Sequence, residues 1–311
     1  MLSRRNVRIK VMQVLYALNR DKNLSYNEAV AAYRTSVRRA YDAYLTALLY
    51  VGRTADYARI VKQRKQDKLR PTEADRNFTA KFATNPVTTA LLGSEDFQRQ
   101  LLARKLNDQT DPDTLRDLYK SFGKTEPYQQ YLRKKDTTEK DHRDMLLALF
   151  KHLMQNELFH ARMDDRFANW IDDDTHVVGA VKKTLKALPG SEKLVTRHLP
   201  PEETVRNFGE ELLRSTYYND EELFNLVQPT LKNWDADRLA VLDMILLKMA
   251  ISEFIGFPTV PTKVTLNEFV EVSKQYSTDK SKDFINGILD RLLKQLEKDG
   301  KINKKGRGLI T

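Results

Sequence analysis

The sequence predicts an all-α protein, and three observations carry that prediction. Only 11 Gly and 10 Pro interrupt 311 residues. The stretches between them are rich in Leu, Ala, Lys and Arg, which lose little side-chain freedom in a helix. Apolar residues recur at helical spacing along most of the chain, and no run alternates as a strand would. The single exception is a short extended piece expected at 259–263.

Taken in order, the first element is an amphipathic helix from Ser3 to Asn19. Val7, Val11, Val14, Leu15 and Leu18 form its apolar stripe. Arg5, Arg8, Met12 and Tyr16 fall together on one flank, because eleven residues make about three turns. From Tyr26 to Lys68 the chain has no Pro, and Val30, Tyr33, Val37, Tyr41, Tyr44 and Leu48 keep helical spacing. That reads as one long helix, or two joined near Gly52. Residues 71–137 carry Pro71, Pro86, Pro112 and Pro127, which separate short helical pieces. A helix follows from Lys140 to Trp170.

The clearest break is "LPGSEKLVTRHLPP". After it come helices at Glu203–Thr216, Asp220–Trp234, Asp237–Ile255 and Thr265–Tyr276, then "KSKDFINGILDRLL". The helix Asp237–Ile255 is apolar on nearly all sides and should be central. Its charges, Arg238, Asp243, Lys248 and Glu253, need partners there. Thr265 and Glu268 have the spacing of a capping box, and Ser281 is placed to cap the last helix. Asn286 and Gly287 are poor helix residues inside a strong pattern. Close approach of another helix at Gly287, bridged by Asn286, would explain them.

Composition narrows the function. There is no Cys, which excludes a disulfide scaffold, a zinc ribbon, an iron–sulfur site and a cysteine nucleophile. No apolar run reaches the roughly 18 residues of a membrane helix, and the start lacks a leader pattern, so a cytoplasmic protein is expected. The net charge of +10 is unevenly spread. Residues 1–20 hold five basic residues and no acid, residues 34–70 ten and three, and residues 294–311 six and two. Residues 219–271 hold four basic and nine acidic. Segregation of this kind favours an anionic partner, nucleic acid first.

No constellation for catalysis stands out. There is no phosphate-cradling Gly-rich loop, no GxGxxG, no HExxH and no GxSxG. Two Glu-x-x-His spacings, Glu139/His142 and Glu157/His160, fall on one expected helix, whereas a di-iron bundle needs them on facing helices. The run Asp172–Asp174 reads as a helix start rather than a metal site. Neither a cofactor nor an enzyme is expected.

The terminal segments resemble the NusB family. "SRRNVRIKVMQVLYAL" is similar to its opening helix, an Arg-rich start leading to Gln13, Leu15 and Tyr16. "NWDADRLAVLDMILLKMAISEF", "PTKVTLNEFVEVSKQYS" and "SKDFINGILDRL" resemble its C-terminal helices in order and spacing. The likeness covers residues 1–20 and about 205–296. It implies a NusB-like bundle with residues 21–204 as a helical insertion and 297–311 as a basic tail. The chain looks like an extended form of the family.

The resemblance implies a non-enzymatic transcription antitermination factor. Such proteins pair with the small-subunit ribosomal protein NusE on single-stranded boxA RNA in nascent ribosomal RNA transcripts. Other Nus factors and RNA polymerase would be indirect partners, and no membrane is involved. By the same resemblance Arg4, Arg5 and Arg8 would contact phosphates, Tyr16 would stack or pack, and Phe284 would lie near the RNA. Lys280 stands where short members often carry an acid, which favours a phosphate contact. Asp243 would face the ribosomal partner, or join a buried ion pair. A ribosomal RNA cytosine methyltransferase, which has a related helical domain, would need the missing cysteine. The remaining alternative is a non-enzymatic ribosome-assembly protein acting through the basic, Tyr-rich insertion, whose Tyr residues would stack RNA or pack as core.

Overall fold

The computed structural model describes residues 1–190, 192–231, 240–278 and 280–309. They fall into two compact units: Met1 with Arg38–Leu199, and Leu2–Val37 with Pro200 onward. In chain order the helices are α1 (Arg4–Arg20), α2 (Tyr26–Gln66), α3 (Glu73–Arg76), α4 (Lys81–Thr84), α5 (Pro86–Gly93), α6 (Glu95–Ala103), α7 (Pro112–Gly123) and α8 (Glu126–Arg133). Then come α9 (Glu139–Leu153), α10 (Glu157–Arg166), α11 (Trp170–Ala187), α12 (Glu211–Tyr218), α13 (Asp220–Val227), α14 (Val241–Gly256), α15 (Thr262–Tyr276) and α16 (Ser281–Lys298). A π-helical turn at Glu203–Glu210 leads into α12. The chain is all-α, with no strand among the described residues. Residues 259–263 do not run extended; they turn directly into α15, with Val260 N–H donating to the Phe257 carbonyl at 3.1 Å. The expected helix limits Trp234 and Asp237, and Arg238, lie outside the described residues.

In the unit 38–199 the second part of α2 runs through the core. Tyr41, Tyr44, Leu45, Leu48 and Leu49 are buried. Their helix is unbroken at Gly52, where a Cβ would lie 2.7 Å from Leu92 Cδ2 of α5. Glycine there serves close approach rather than a break. The Tyr41 hydroxyl donates to the Val195 carbonyl at 3.0 Å, and Tyr44 shares a 2.7 Å hydrogen bond with Thr184. Amphipathic rings with satisfied hydroxyls are core material. The tyrosine stripe of the insertion therefore packs and offers no stacking face to RNA. The expected helix Lys140–Trp170 is interrupted, because Asn156 accepts from Phe159 N–H at 3.2 Å and caps a new helix. The two Glu-x-x-His spacings thus lie on α9 and α10, not on one helix. Their histidines are spoken for: His142 bonds the Tyr131 hydroxyl at 2.7 Å, and His160 accepts from Trp170 Nε1 at 3.1 Å. Among the described residues no His, Asp and Glu cluster could hold a metal.

In the second unit α14 is the central helix, touching α1, α12, α13, α15 and α16. Each of its described charges has a partner. Glu253 is fully buried against Arg8, Lys248 donates to Asp220 at 2.6 Å, and Asp243 accepts from two serines. The π-helical turn packs closely as well. A Cβ at Gly209 would fall 1.9 Å from the Tyr33 hydroxyl and 2.6 Å from a Val7 methyl. No described helix is long and apolar enough to cross a membrane.

Candidate nucleic-acid and partner interface

The start of α1 is fixed by a reciprocal cap between Ser3 and Asn6. That sets the three arginines in different surroundings. Arg8 is 2% exposed and forms a bidentate pair with Glu253, Nε to Oε2 at 2.7 Å and Nη2 to Oε1 at 2.5 Å. Thr265 donates to the same carboxylate at 2.7 Å, and the Phe208 ring lies 5.0 Å below the guanidinium. A phosphate cannot reach Arg8 without dismantling this core pair, so the phosphate contact expected of it is not available in this fold. Arg5 pairs with Glu268 at 2.7 and 2.8 Å, and Arg4 with Glu203 at 3.4 Å; both arginines keep part of their surface in solvent. Burial by itself pushes the Glu268 carboxyl up, but the Arg5 hydrogen bond and the Arg8 and Arg5 charges outweigh it and hold the group below its usual range.

These pairings correct two capping expectations. Thr265 and Glu268 do not form a capping box, since α15 begins at Thr262 and both side chains turn to the arginine cluster. Ser281 does not cap α16 either; its hydroxyl donates to Asp243 Oδ2 at 2.7 Å. Ser277 donates to Asp243 Oδ1 at 2.6 Å, and the two serine hydroxyls lie 2.9 Å apart. Asp243 is 5% exposed. It holds the joint between α15 and α16 and does not itself form a contact surface. Phe284 is also buried, at 7% exposure, so its ring belongs to the core and is not an open stacking face. Asn286 and Gly287 point outward. Among the described residues nothing lies within 4 Å of a Cβ built at Gly287, so no described helix makes the expected close approach there.

Two of the anticipated residues do meet at a surface. Tyr16, 42% exposed, lines a groove of about 590 Å³ with Met12, Gln13, Tyr276, Ser277 and Thr278. Lys280, two residues past Thr278, is exposed at the same joint. Asp243 lies behind it and fixes its shape through Ser277. Arg4 and Arg5 stand about three turns away along α1, too far to share one contact with Tyr16. A second groove, about 380 Å³, opens between α1, α12, α13 and α14, lined by Leu15, Leu18, Tyr217, Phe224 and Ile245 with Lys22 and Asp220 at its edge. Tyr276 and Tyr217 were not singled out from the sequence. At helical spacing a partly exposed tyrosine looks like any core tyrosine.

The arrangement offers aromatic faces, hydroxyls and cations, which suit binding rather than bond chemistry. The profile of the NusB family matches residues 169–294. A transcription antitermination protein NusB of Salinibacter ruber is 40% identical over 117 residues, which are 38% of this chain and 73% of that one. The protein of the same name from Chloroherpeton thalassium is 35% identical over 121 residues, 37% of this chain and 57% of its own. That of Natranaerobius thermophilus is 40% identical over 89 residues, 29% of this chain and 64% of its own. No solved structure matches the chain. A relative at 40% identity matched along most of its own length shares the fold of that segment, and the chain belongs to the NusB family.

Proposed function

We propose that this protein is a transcription antitermination factor that binds single-stranded, boxA-type RNA of nascent ribosomal transcripts together with the small-subunit ribosomal protein NusE. In this reading it is not an enzyme, and other Nus factors and RNA polymerase are reached through the assembly. The observation that carries the reading is the Tyr16–Tyr276 groove ending at the Lys280 joint, on the helices that carry the family likeness. A partly exposed tyrosine can stack a base, and a nearby lysine can neutralise a phosphate. Arg4 and Arg5 extend the contact, because surface ion pairs are worth only about 0–1 kcal/mol and yield readily to a phosphate. The second groove, which mixes apolar side chains such as Leu15, Phe224 and Ile245 with Lys22, Asp220 and Lys248, suits the protein partner. Asp243 acts by holding the joint and not by touching NusE.

The test is fluorescence anisotropy with boxA RNA, with and without NusE. Tyr16→Ala should cost about 1–3 kcal/mol of RNA affinity and leave the salt slope unchanged. Lys280→Gln should lower the slope of log affinity against log salt by about 0.7. If both variants bind RNA and NusE like the parent, the reading is wrong.

A further inference from the structure

We propose that the corner where α2 meets α3 is a second, sequence-blind binding surface for single-stranded RNA. This rests on the RNA-binding reading above and adds a site in the other unit. Residues 59–81 hold eight basic and three acidic residues. The corner is closed by one acid. Asp75, 4% exposed, accepts from Lys65 at 2.7 Å, from Lys68 at 2.9 Å and from the Thr72 hydroxyl at 2.9 Å. Hydrogen bonds from Lys65, Lys68 and Thr72 outweigh its burial and keep it ionised far below the usual carboxylate range. One carboxylate thus anchors two lysines and fixes the corner while leaving it cationic.

Lys62, Arg64, Arg70 and Arg76 flank that anchor along the chain. All four are exposed, and none makes an ion pair among the described residues. Other arginines of the same unit are paired, such as Arg59 with Asp56, Arg104 with Asp42 and Arg116 with Asp113. The basic margin continues beyond α3. Lys81 donates to the Tyr131 carbonyl and, at 2.7 Å, to the Lys134 carbonyl, which brings Arg133, Lys134 and Lys135 to the start of α4.

The chemistry favours a flexible polyanion over a folded acidic protein. A protein partner would need an apolar anchor. Phe78, the aromatic ring at the corner, is already covered by Lys65, whose ammonium lies 5.2 Å from its centroid. The exposed apolar side chains there, Ile60 and Leu69, are single residues among cations, so positive charge dominates the corner, and it reads phosphates and not bases.

The experiment compares the full chain with a variant carrying Lys62→Gln, Arg64→Gln, Arg70→Gln and Arg76→Gln. Affinity is measured against salt for a short boxA strand and for the same strand extended by about twenty nucleotides. The four cations are exposed and make no ion pair among the described residues, and only Arg64 has a ring partner, lying 5.9 Å from the Tyr57 centroid, so the melting temperature should change little. The short strand should bind both proteins alike. For the long strand the variant should lose about 3 from its log–log salt slope, near 0.7 for each phosphate contact. An unchanged long-strand slope overturns the proposal while leaving the first RNA site standing. If the parent binds neither strand, the antitermination reading fails and this site with it. If the variant instead loses polyglutamate and keeps long RNA, the corner serves an acidic protein and the proposal is wrong.

Discussion

Arg8 and Glu253 show how a side chain read as a surface cation can be taken from solvent by the fold. Both are essentially without solvent contact and share two hydrogen bonds. Removing one member of such a pair strands a buried charge, at a cost of about 3–5 kcal/mol. Arg8→Ala should therefore show in urea melts and leave little trace in RNA salt dependence once the protein is folded. Arg4→Ala with Arg5→Ala should do the reverse, lowering the salt slope by about 1.4 with small loss of stability. A second residue-scale expectation concerns pH. Burial, then the charges of Arg197, the N-terminal amine and Lys183, push the His198 imidazole down to about 4. The unfolded chain takes that proton near pH 6.5, so the unfolded state binds more protons between the two values. Stability from this group is complete above about pH 6.5 and declines as pH falls toward 4, by on the order of 3 kcal/mol. His142 and His152 are also lowered by burial and follow the same trend. Hence the readout is the difference between parent and His198→Gln in melts at several pH values; parallel curves would disprove it.

At the level of elements two helical glycines, Gly287 and Gly209, behave oppositely. Gly287 is exposed with open space around it, so Gly287→Ala should stabilise α16 by about 0.5–1 kcal/mol. Lower RNA affinity in that variant would mean that the bare backbone is itself a contact. Gly209 has no room, since its Cβ position lies against Tyr33 and Val7. Gly209→Ala should cost about 1–3 kcal/mol, by forcing α1 or α2 aside. The sequence does not separate the two cases, because both glycines sit in helical patterns and the crowding at Gly209 comes from residues far away in the chain. The same limit explains the other differences. Helix α1, the length of α2 and the central place of α14 follow from periodicity, which is local. Whether Arg8 faces water or Glu253, and whether Ser281 caps its helix or bonds Asp243, depends on what the fold brings opposite. Tyr16 was legible as a surface candidate only through the family likeness. Phe284 was assigned to the RNA by that same likeness, although its own apolar spacing fits the core where it lies.

Across the whole molecule, charge is arranged in places and not merely summed. The +10 excess resides at the start of α1, along α2 and in the last residues, whereas 219–271 are acidic. The basic tail is partly used for structure: Lys304 donates to the Phe257 carbonyl at 3.0 Å, and Lys305 N–H to the Pro258 carbonyl at 2.9 Å. A Cβ at Gly308 would collide with that same Pro258 carbonyl at 1.9 Å, so the chain passes there with no room for a side chain. Cleavage after Asp299 should therefore lower stability as well as positive charge, seen as a drop in melting temperature that added salt does not restore. The Arg8–Glu253 pair, separated by 245 positions along the chain, bears also on descent. A lineage that replaces either residue alone passes through an ancestor destabilised by about 3–5 kcal/mol. Positions 8 and 253 should thus be inherited as a unit, exchanged together for a matched apolar pair or not at all, while Arg4, Arg5 and Lys280, which keep part of their surface in solvent, can change one by one.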